Sequence, residues 1–261
     1  MKAINEIRRE EKKISRGDKT RAEILDVAVH IASAEGLEGL TIGRLADELD
    51  MSKSGLFAHF GSKEELQLAV IGRARDIFVR EVVEPALETE RGINRLLAML
   101  DEWLSYMGRK VFRGGCFFMA TAIEFDSRPG EVRSLIAALS RSWIEAFQTE
   151  IDYAKSIGQL DRSANSAQLA FELHALAQQA NFAHQLFNDA NAIERARSGI
   201  GNRIRACVTP VGLRALAECS KRKVAMRKVA KIRRNASAQA GRKGRTAKAG
   251  GKATTLKRKS A

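Results

Sequence analysis

Residues 41–63, with the sequence TIGRLADELDMSKSGLFAHFGSK, constrain the fold of this chain more than any other segment. Thr41 can cap a helix N-terminus, because its hydroxyl can accept a hydrogen bond from a free backbone N–H group. The apolar residues that follow have the spacing of one helical face: Ile42, Leu45, Ala46 and Leu49. After Asp50 and Met51, Ser52 can cap a second helix. The segment therefore predicts two short helices joined by a tight turn.

The second predicted helix buries Leu56 and Phe60 and leaves other side chains pointing outward. The outward residues in its first half are Lys53, Ser54 and Phe57. A helix of about two turns that starts with small polar residues has the geometry of a recognition helix, whose N-terminal residues approach base edges in the major groove of DNA. Gly55 has no side chain, so the backbone can lie close to DNA there.

Two neighbouring segments complete a three-helix headpiece. Gly61 ends the second helix, and Ser62 with Glu65 has the spacing of a capping box that begins the next one. Lys63 lies in the first turn of that helix, where free N–H groups and a positive side chain together favour a phosphate. Upstream, apolar residues at helical spacing predict a helix that Gly36 would end: Ile24, Leu25, Ala28, Ile31 and Ala32.

Residues 20–70 resemble the N-terminal domain of the tetracycline repressor (TetR) family of bacterial regulators, and residues 35–66 are the specific part of the resemblance. The resemblance implies a helix-turn-helix domain and a homodimeric protein that binds double-stranded DNA. It also implies which residues form the DNA surface: Thr41, Ser52, Lys53, Ser54, Gly55, Phe57, His59 and Lys63. His59 alone would be read as a structural histidine, and only its place in the motif makes it a candidate phosphate contact.

The sequence departs from the common family pattern at two positions. Family members commonly have a tyrosine where this chain has Phe57, and another aromatic or a polar residue where it has Ala58. Phe57 cannot donate a phenolic hydrogen bond, so we expect it to make an apolar contact, for example with a thymine methyl group. Ala58 offers little reach. Lys53, Ser54 and Gly55 are therefore the expected base readers.

Composition predicts a globular, all-α protein. The 261 residues are enough for one or two domains, and 44% of them are hydrophobic. No apolar run approaches the ~20 residues that span a bilayer, and the first residues, MKAINEIRREEKK, lack the apolar segment of a secretory signal. Three cysteines, Cys116, Cys207 and Cys219, have neither metal-site nor disulfide spacing. These features predict a cytoplasmic protein with no cofactor, no metal and no membrane partner, and the resemblance implies that it is bacterial and nucleoid-associated.

The net charge of +14 comes almost entirely from the C-terminal tail. Residues 221–261 hold 16 of the 45 Lys and Arg residues and no acidic residue, so the preceding residues are slightly acidic. The tail has few large apolar residues, and we expect it to be largely disordered. Basic tails raise sequence-independent DNA affinity by releasing counterions. The alternatives are a solubilising extension and an attraction to acidic membrane surfaces.

The middle of the chain predicts a helical body. One long helix should begin at Ser62 and be bent or interrupted near Pro85. Further helices are expected at about residues 91–111, 116–125, 129–157, 164–188 and 191–207. The predicted organisation is a flexible arm (1–18), a helix-turn-helix domain (19–65), an effector-binding and dimerisation domain (66–210) and a basic extension (211–261).

The last two predicted helices carry a smooth apolar stripe that suits close helix packing. Its residues are Leu169, Leu173, Leu176 and Ala180 on one helix and Ile193, Ala196 and Ile200 on the other. If these helices paired with their symmetry mates as a four-helix bundle, the stripe would form the interface of a two-fold dimer. Two recognition helices about one DNA turn apart would then read a palindromic operator.

A second stripe on the first of these helices mixes aromatic and polar groups. With aromatic residues of the body, it is a candidate wall for an effector cavity: Trp103, Met107, Phe117, Trp143, Phe147, Phe171, His174 and Gln178. Such a wall suits an apolar or aromatic small molecule, which His174 and Gln178 would orient. The alternative is that these side chains form an ordinary core, since aromatic residues at helical spacing are usually packing residues.

The predicted function is a homodimeric transcriptional regulator, a repressor that an effector releases from its operator. The alternative is a nucleoid-associated protein whose DNA binding is dominated by the basic tail. An enzyme is not expected, because Gly199 and Gly201 form a partial G-x-G without a preceding strand, and no P-loop or G-x-S-x-G occurs. A helical bundle that never touches DNA would share the helix-turn-helix pattern, but the capping residues favour DNA binding.

Overall fold

The computed structural model describes residues 16–221. Within this range the chain is helical and contains no β-strand, only an isolated bridge between Leu160 and Val208. The described residues fall into two units, one that ends at Gly212 and a second that begins at Leu213. No helix among the described residues is long and apolar enough to cross a bilayer. The prediction of an all-α fold is confirmed.

The N-terminal part of the first unit is a headpiece of three helices, followed by a helical body. The headpiece consists of α1 (Arg16–Glu35), α2 (Ile42–Leu49) and α3 (Lys53–Phe60). A long helix follows as α4 (Lys63–Phe78), a π-helical turn (Val79–Val83) and α5 (Glu84–Leu87). The rest of the body consists of α6 (Ile93–Gly108), α7 (Phe117–Phe125), α8 (Glu131–Ser156), α9 (Ser166–Leu186) and α10 (Ala192–Arg205).

All three predicted domain borders fall inside helices, and the border between residues 65 and 66 lies in α4. Helix α1 starts at Arg16, so the last residues of the predicted arm are helical, while residues 1–15 lie outside the described residues. Residues 213–221 are helical as well, so the extension predicted to be largely disordered begins as a helix. The remainder of the basic tail, residues 222–261, lies outside the described residues, and the prediction of disorder there stays a prediction.

The interruption predicted near Pro85 is present. Pro85 has no N–H group, and in a regular α-helix its ring would press on the Glu81 carbonyl. The chain instead widens into the π-helical turn, in which the Glu84 N–H donates to the Val79 carbonyl. Pro85 then lies in the first turn of α5, where a missing N–H group is tolerated.

Headpiece and body meet where α1 passes the segment before α7. Gly114 packs directly on the α1 backbone, because a Cβ atom at Gly114 would lie 1.6 Å from the Ser33 carbonyl oxygen. The Gly114 N–H also donates to Ser33 Oγ at 3.4 Å. No side chain larger than hydrogen fits at this position without moving α1.

Candidate nucleic-acid interface and cavity

Three side-chain caps fix the ends of the helices in the headpiece and at the start of α4. Thr41 Oγ1 accepts from the Arg44 N–H at 3.0 Å, and Ser52 Oγ accepts from the Gly55 N–H at 3.1 Å. Ser62 Oγ accepts from the Glu65 N–H at 3.1 Å. All three caps were predicted from the sequence and are confirmed. They determine where α2, α3 and α4 begin, and therefore which residues of α3 reach solvent.

Helix α3 has one buried and one exposed face, as its sequence predicts. Leu56 and Phe60 are buried in the headpiece, whereas Phe57 is 53% exposed. Lys53 and Ser54 are exposed in the first turn of α3. The exposed face therefore combines a cation, a hydroxyl and an aromatic ring within two turns of helix, and Gly55 lies between them.

The Lys53 side chain extends over the N-terminus of α2. A Cβ atom at Gly43 would lie 3.7 Å from Lys53 Nζ and 3.8 Å from Thr41 Oγ1, so both groups flank the first turn of α2. The first N–H groups of a helix have no partner within the helix and attract anions. An ammonium, a hydroxyl and free N–H groups thus converge where a DNA phosphate can bind.

His59 and Lys63 are less available than the other predicted DNA contacts. His59 is half-buried, and its carbonyl accepts from Arg21 Nε at 3.5 Å. Lys63 Nζ lies 2.8 Å from Glu38 Oε1, and this pairing lowers the pKa of the Glu38 carboxyl. To bind a phosphate, Lys63 would have to break its ion pair with Glu38. Arg44 is similarly held by Glu35 and Glu48.

A cavity of about 720 Å³ lies in the body between the long helix α4–α5 and helices α6 to α9. Four of the predicted wall residues line it: Trp103, Trp143, His174 and Gln178. Sequence reasoning missed most of the remaining wall, which includes Phe78, Val79, Val83, Met99, Phe118, Met119, Ala122, Leu139 and Ile144. These residues are ordinary apolar helix residues, and nothing in their local spacing distinguishes a cavity wall from a core.

The other four predicted wall residues do not line the cavity. Met107, Phe117 and Phe147 are fully buried in the surrounding core; Phe147 packs 4.9 Å from Trp143 between ring centroids. Phe171 is 67% exposed, so the prediction that it faces inward is wrong. The mixed aromatic and polar stripe of α9 mainly faces solvent, and of its residues only His174 and Gln178 reach the cavity.

The cavity wall is mostly uncharged. Burial lowers the pKa of His174, which keeps the imidazole neutral near pH 7, and its ring packs 5.2 Å from that of Trp103. Burial raises the pKa of the Cys116 thiol, so Cys116 is protonated and a poor nucleophile. The buried Glu150 carboxylate at one end of the wall accepts from the Gly92 N–H and from Arg91. The arrangement can hold an apolar molecule and offer it the imidazole as a hydrogen-bonding partner.

The stripe predicted as the dimer interface is buried inside one chain, so that assignment is wrong. Six of its residues are no more than 8% exposed: Leu169, Leu173, Ala180, Ile193, Ala196 and Ile200. Leu176 is half-buried, and its Cδ2 would lie 3.1 Å from a Cβ atom at Gly199, so it packs against α10. The ion pair between Glu172 and Arg203 joins the same two helices. The smooth stripe is therefore packed inside one chain, and part of it forms the contact between α9 and α10.

A different set of α9 residues is exposed, which we call the aromatic patch. It consists of Phe171 (67% exposed), Phe182 (47%), Leu186 (61%) and, just beyond the helix, Phe187 (64%). The rings of Phe182 and Phe187 are 5.4 Å apart. Phe171, Phe182 and Leu186 recur at intervals of 11 and 4 residues, so they lie on one side of α9.

Two family models match this chain. Residues 24–70 match the model for bacterial regulatory proteins of the tetR family, and residues 92–200 match the tetracyclin repressor-like C-terminal domain. Together the two matches cover more than half of the chain. The chain belongs to the TetR family. The first match contains the headpiece caps and α3, and the second contains most of the cavity wall.

Individual relatives are more distant. The HTH-type transcriptional regulator TcmR of Streptomyces glaucescens is 30% identical over 92 residues, which are 35% of this chain and 38% of that protein, so the match spans well under half of the relative. A TetR transcriptional regulator from Chloroflexus aurantiacus J-10-FL has the same fold, with a TM-score of 0.70 and 23% identity over 74% of this chain and 99% of its own. AibR, solved in complex with isovaleryl coenzyme A and operator DNA, gives a TM-score of 0.58 at 20% identity, over 69% and 96% of the two chains.

Proposed function

We propose that this protein is a homodimeric transcriptional repressor that binds a palindromic operator and is released by a small-molecule effector. The observation that carries the proposal is the exposed face of α3, where Lys53, Ser54 and Phe57 reach solvent from a helix capped by Ser52. The N-terminus of α2, flanked by Lys53 and Thr41, offers a phosphate contact beside that face. Phosphate contacts of this kind set the register, and the α3 side chains read the bases.

A second copy of the chain is the proposed partner of the aromatic patch. Large apolar side chains on one side of a helix are costly to expose, and a two-fold axis through the patch would bury the same residues of both copies. The interface would thus use the exposed side of α9 and leave its packing with α10 intact. Two α3 helices related by that axis would read the two halves of a palindrome.

The cavity is the proposed effector site. Its size falls within the range typical of small-molecule sites, and its apolar wall with a neutral His174 favours an apolar or aromatic, uncharged ligand. AibR, which shares the fold, has been solved with a small molecule and operator DNA together. Ligand binding would move the long helix that lines the cavity, and the separation of the two recognition helices would no longer fit the operator.

The test begins with selection of bound duplexes from a random pool by the full-length protein. We expect a palindromic motif with two half-sites, because a symmetric dimer presents two identical recognition helices. The selected duplex and a random duplex are then titrated at increasing salt. Selective binding that survives at moderate salt supports the repressor, and a pool without any enriched motif contradicts it.

The same salt titration tests a second candidate, a nucleoid-associated protein dominated by the basic tail. The 16 basic residues at 221–261 favour this alternative, since they can neutralise DNA phosphates without reading sequence. A ratio of specific to random affinity near one would support it. Removal of residues 221–261 should weaken binding to all duplexes and reduce the salt dependence, while the sequence preference remains.

A further inference from the structure

Helix α7 lies between the cavity and the headpiece and presents different residues to each. Phe118, Met119 and Ala122 line the cavity. Glu124 follows Ala122 by two residues, which places it about 200° around the helix, and it contacts the turn between α1 and α2. One short helix therefore carries a wall of the cavity on one face and a contact to the headpiece on the other.

The Glu124 carboxylate holds the α1–α2 turn with both oxygens. The Leu37 N–H donates to Oε2 at 2.8 Å, and the Glu38 N–H donates to Oε1 at 2.7 Å. Gly36 permits this close approach, because it has a φ of +89° and a Cβ atom there would lie 3.0 Å from Glu124 Oε1. Hydrogen bonds to an ionised carboxylate are about twice as strong as neutral ones. The carboxylate thus works as a clamp on the turn.

The clamped turn is part of the DNA-reading headpiece. Gln67 of α4 donates to the Leu37 carbonyl at 3.1 Å, and Lys63 pairs with Glu38. Helix α2 follows the turn directly and packs against α3. A displacement of the turn is therefore transmitted to the helix that carries the exposed reading residues.

The other end of α7 is anchored. Gly114 packs on Ser33 of α1, and the Cys116 N–H donates to Asn181 Oδ1 of α9 at 3.0 Å. Because its N-terminal end is held on two sides, pressure from the cavity would tilt α7 about that end. The displacement is then largest near its C-terminal end, where Glu124 lies.

We propose that Glu124 is the positioning residue through which occupancy of the cavity moves the headpiece. A ligand that presses on Ala122 displaces the carboxylate from the Leu37 and Glu38 N–H groups, and the released turn lets α2 and α3 shift from the orientation that fits DNA. This role rests on the proposed function, because it specifies how the cavity regulates the reading surface. The Glu124 contact would be a second route from the cavity to the headpiece, through α7, beside the proposed movement of the long helix that begins with α4.

The test is made in the full-length protein, and a larger side chain introduced into the cavity takes the place of the unidentified ligand. Ala122→Phe adds a ring on the cavity face of α7, and Glu124→Gln keeps the shape of the carboxylate but removes its charge and one acceptor. Affinity for the selected duplex is measured for the wild type, both single variants and the double variant. We expect Ala122→Phe to weaken binding about tenfold in the wild-type background and less than about threefold in the Glu124→Gln background.

Amide hydrogen exchange at Leu37 and Glu38 provides a readout that needs no DNA. Ala122→Phe should accelerate exchange at both amides in the wild-type background and add nothing in the Glu124→Gln background. Glu131→Gln, which alters an exposed carboxylate at the start of α8, is the matched control and should leave the full effect of Ala122→Phe in place. If thermal unfolding shows that Ala122→Phe does not fold, the smaller Ala122→Val takes its place in both cycles.

Independent effects would overturn the proposal. If the losses of affinity in the two single variants simply multiply in the double variant, and the exchange rates behave in the same way, Glu124 only stabilises the headpiece. A random-pool selection that yields no preferred duplex would instead count against the proposed repressor. The exchange cycle would still decide the role of Glu124, so the two failures are distinguishable.

Discussion

The headpiece and the helical body both expose aromatic side chains, but the surroundings of these side chains differ. Within residues 16–60 the structure exposes one large apolar side chain, Phe57, and it stands among polar residues such as Lys53 and Ser54. In the body, Phe171, Phe182 and Leu186 of the aromatic patch lie on one side of α9, and Phe187 follows directly after the helix. A single ring among polar groups suits the groove of a charged partner, whereas a patch suits a second protein surface. Exposure alone does not identify the partner, and the neighbouring residues do.

The largest expected effect comes from disrupting the aromatic patch. Replacing Phe182→Glu and Leu186→Glu together places two like charges where the two-fold axis would bring the copies together. We expect the dimer to dissociate and specific operator affinity to fall at least about 100-fold, because each chain then binds one half-site alone. Sedimentation velocity measures the oligomeric state, and titration with the selected duplex measures the affinity.

Ile123→Glu is the control for this prediction. Ile123 is 74% exposed on α7, outside the aromatic patch, so a charge there should leave the dimer intact. If the Phe182→Glu, Leu186→Glu protein remained dimeric, the aromatic patch would not be the dimer interface. The proposed difference between its partner and the partner of Phe57 would then have no support.

The sequence predicted the headpiece more completely than the body, for a physical reason. The caps at Thr41, Ser52 and Ser62 bond to N–H groups three residues away, so the information that fixes α2, α3 and α4 is local. The two stripes of α9 are equally helical in their spacing, and packing against α6, α8 and α10 decides which is buried. That packing joins residues far apart in the chain, such as Glu172 and Arg203, which are 31 positions apart, and no local pattern encodes it.

The same distinction explains what was missed in the cavity and at the join with the headpiece. Trp103 and His174 were predicted because aromatic and polar side chains on a helix face are typical of a ligand site. Val83 and Ala122 also line the cavity, but in the sequence they have no property that distinguishes them from core residues. Glu124 bonds to N–H groups 86 and 87 residues earlier in the chain. A surface carboxylate with partners that distant has no signature in its own segment.

The next largest effect tests the join between the two regions. Gly114→Ala would place a Cβ atom 1.6 Å from the Ser33 carbonyl, so α1 must move away from the body. We expect a loss of about 2 kcal/mol in the free energy of unfolding, measured by chemical denaturation.

Gly72→Ala is the matched glycine substitution within α4. A Cβ atom there meets nothing within 4 Å, so the better helix propensity of alanine should stabilise the protein by about 0.5–1 kcal/mol. Equal effects of the two substitutions would mean that headpiece and body are not in close contact at Gly114.

A smaller effect is expected at Phe57. If its ring meets a thymine methyl group, Phe57→Ala should weaken binding to the selected operator by about 1 kcal/mol. Replacing the contacted thymine with deoxyuridine removes the methyl group and should weaken wild-type binding while leaving the variant unaffected. Titration of singly substituted duplexes identifies the position, and losses that are identical for wild type and variant at every thymine would refute the contact.

The smallest effect concerns the pH dependence of stability, with one histidine in each region. Burial lowers the pKa of His174 in the body and, together with the charge of Arg113, the pKa of His30 in the headpiece. The unfolded chain then binds more protons below about pH 6.5, so the free energy of unfolding falls as the pH drops through that value. His174→Gln and His30→Gln should each reduce this fall when denaturation at about pH 5.5 and about pH 7.5 is compared. An unchanged difference in both variants would assign the acid sensitivity to other groups.

The π-helical turn before Pro85 determines how far the cavity extends along the long helix. Arg75, Val79, Val83 and Leu87 line the cavity at intervals of four residues. In an uninterrupted α-helix each such step overshoots a full turn by about 40°, and the row would wind away from the wall. The π-turn absorbs the equivalent of one inserted residue and keeps the row straight. If the same residues formed a regular α-helix instead, Leu87 would be rotated by about 100° out of the row, and the longest ligand that the cavity can accept would be shorter.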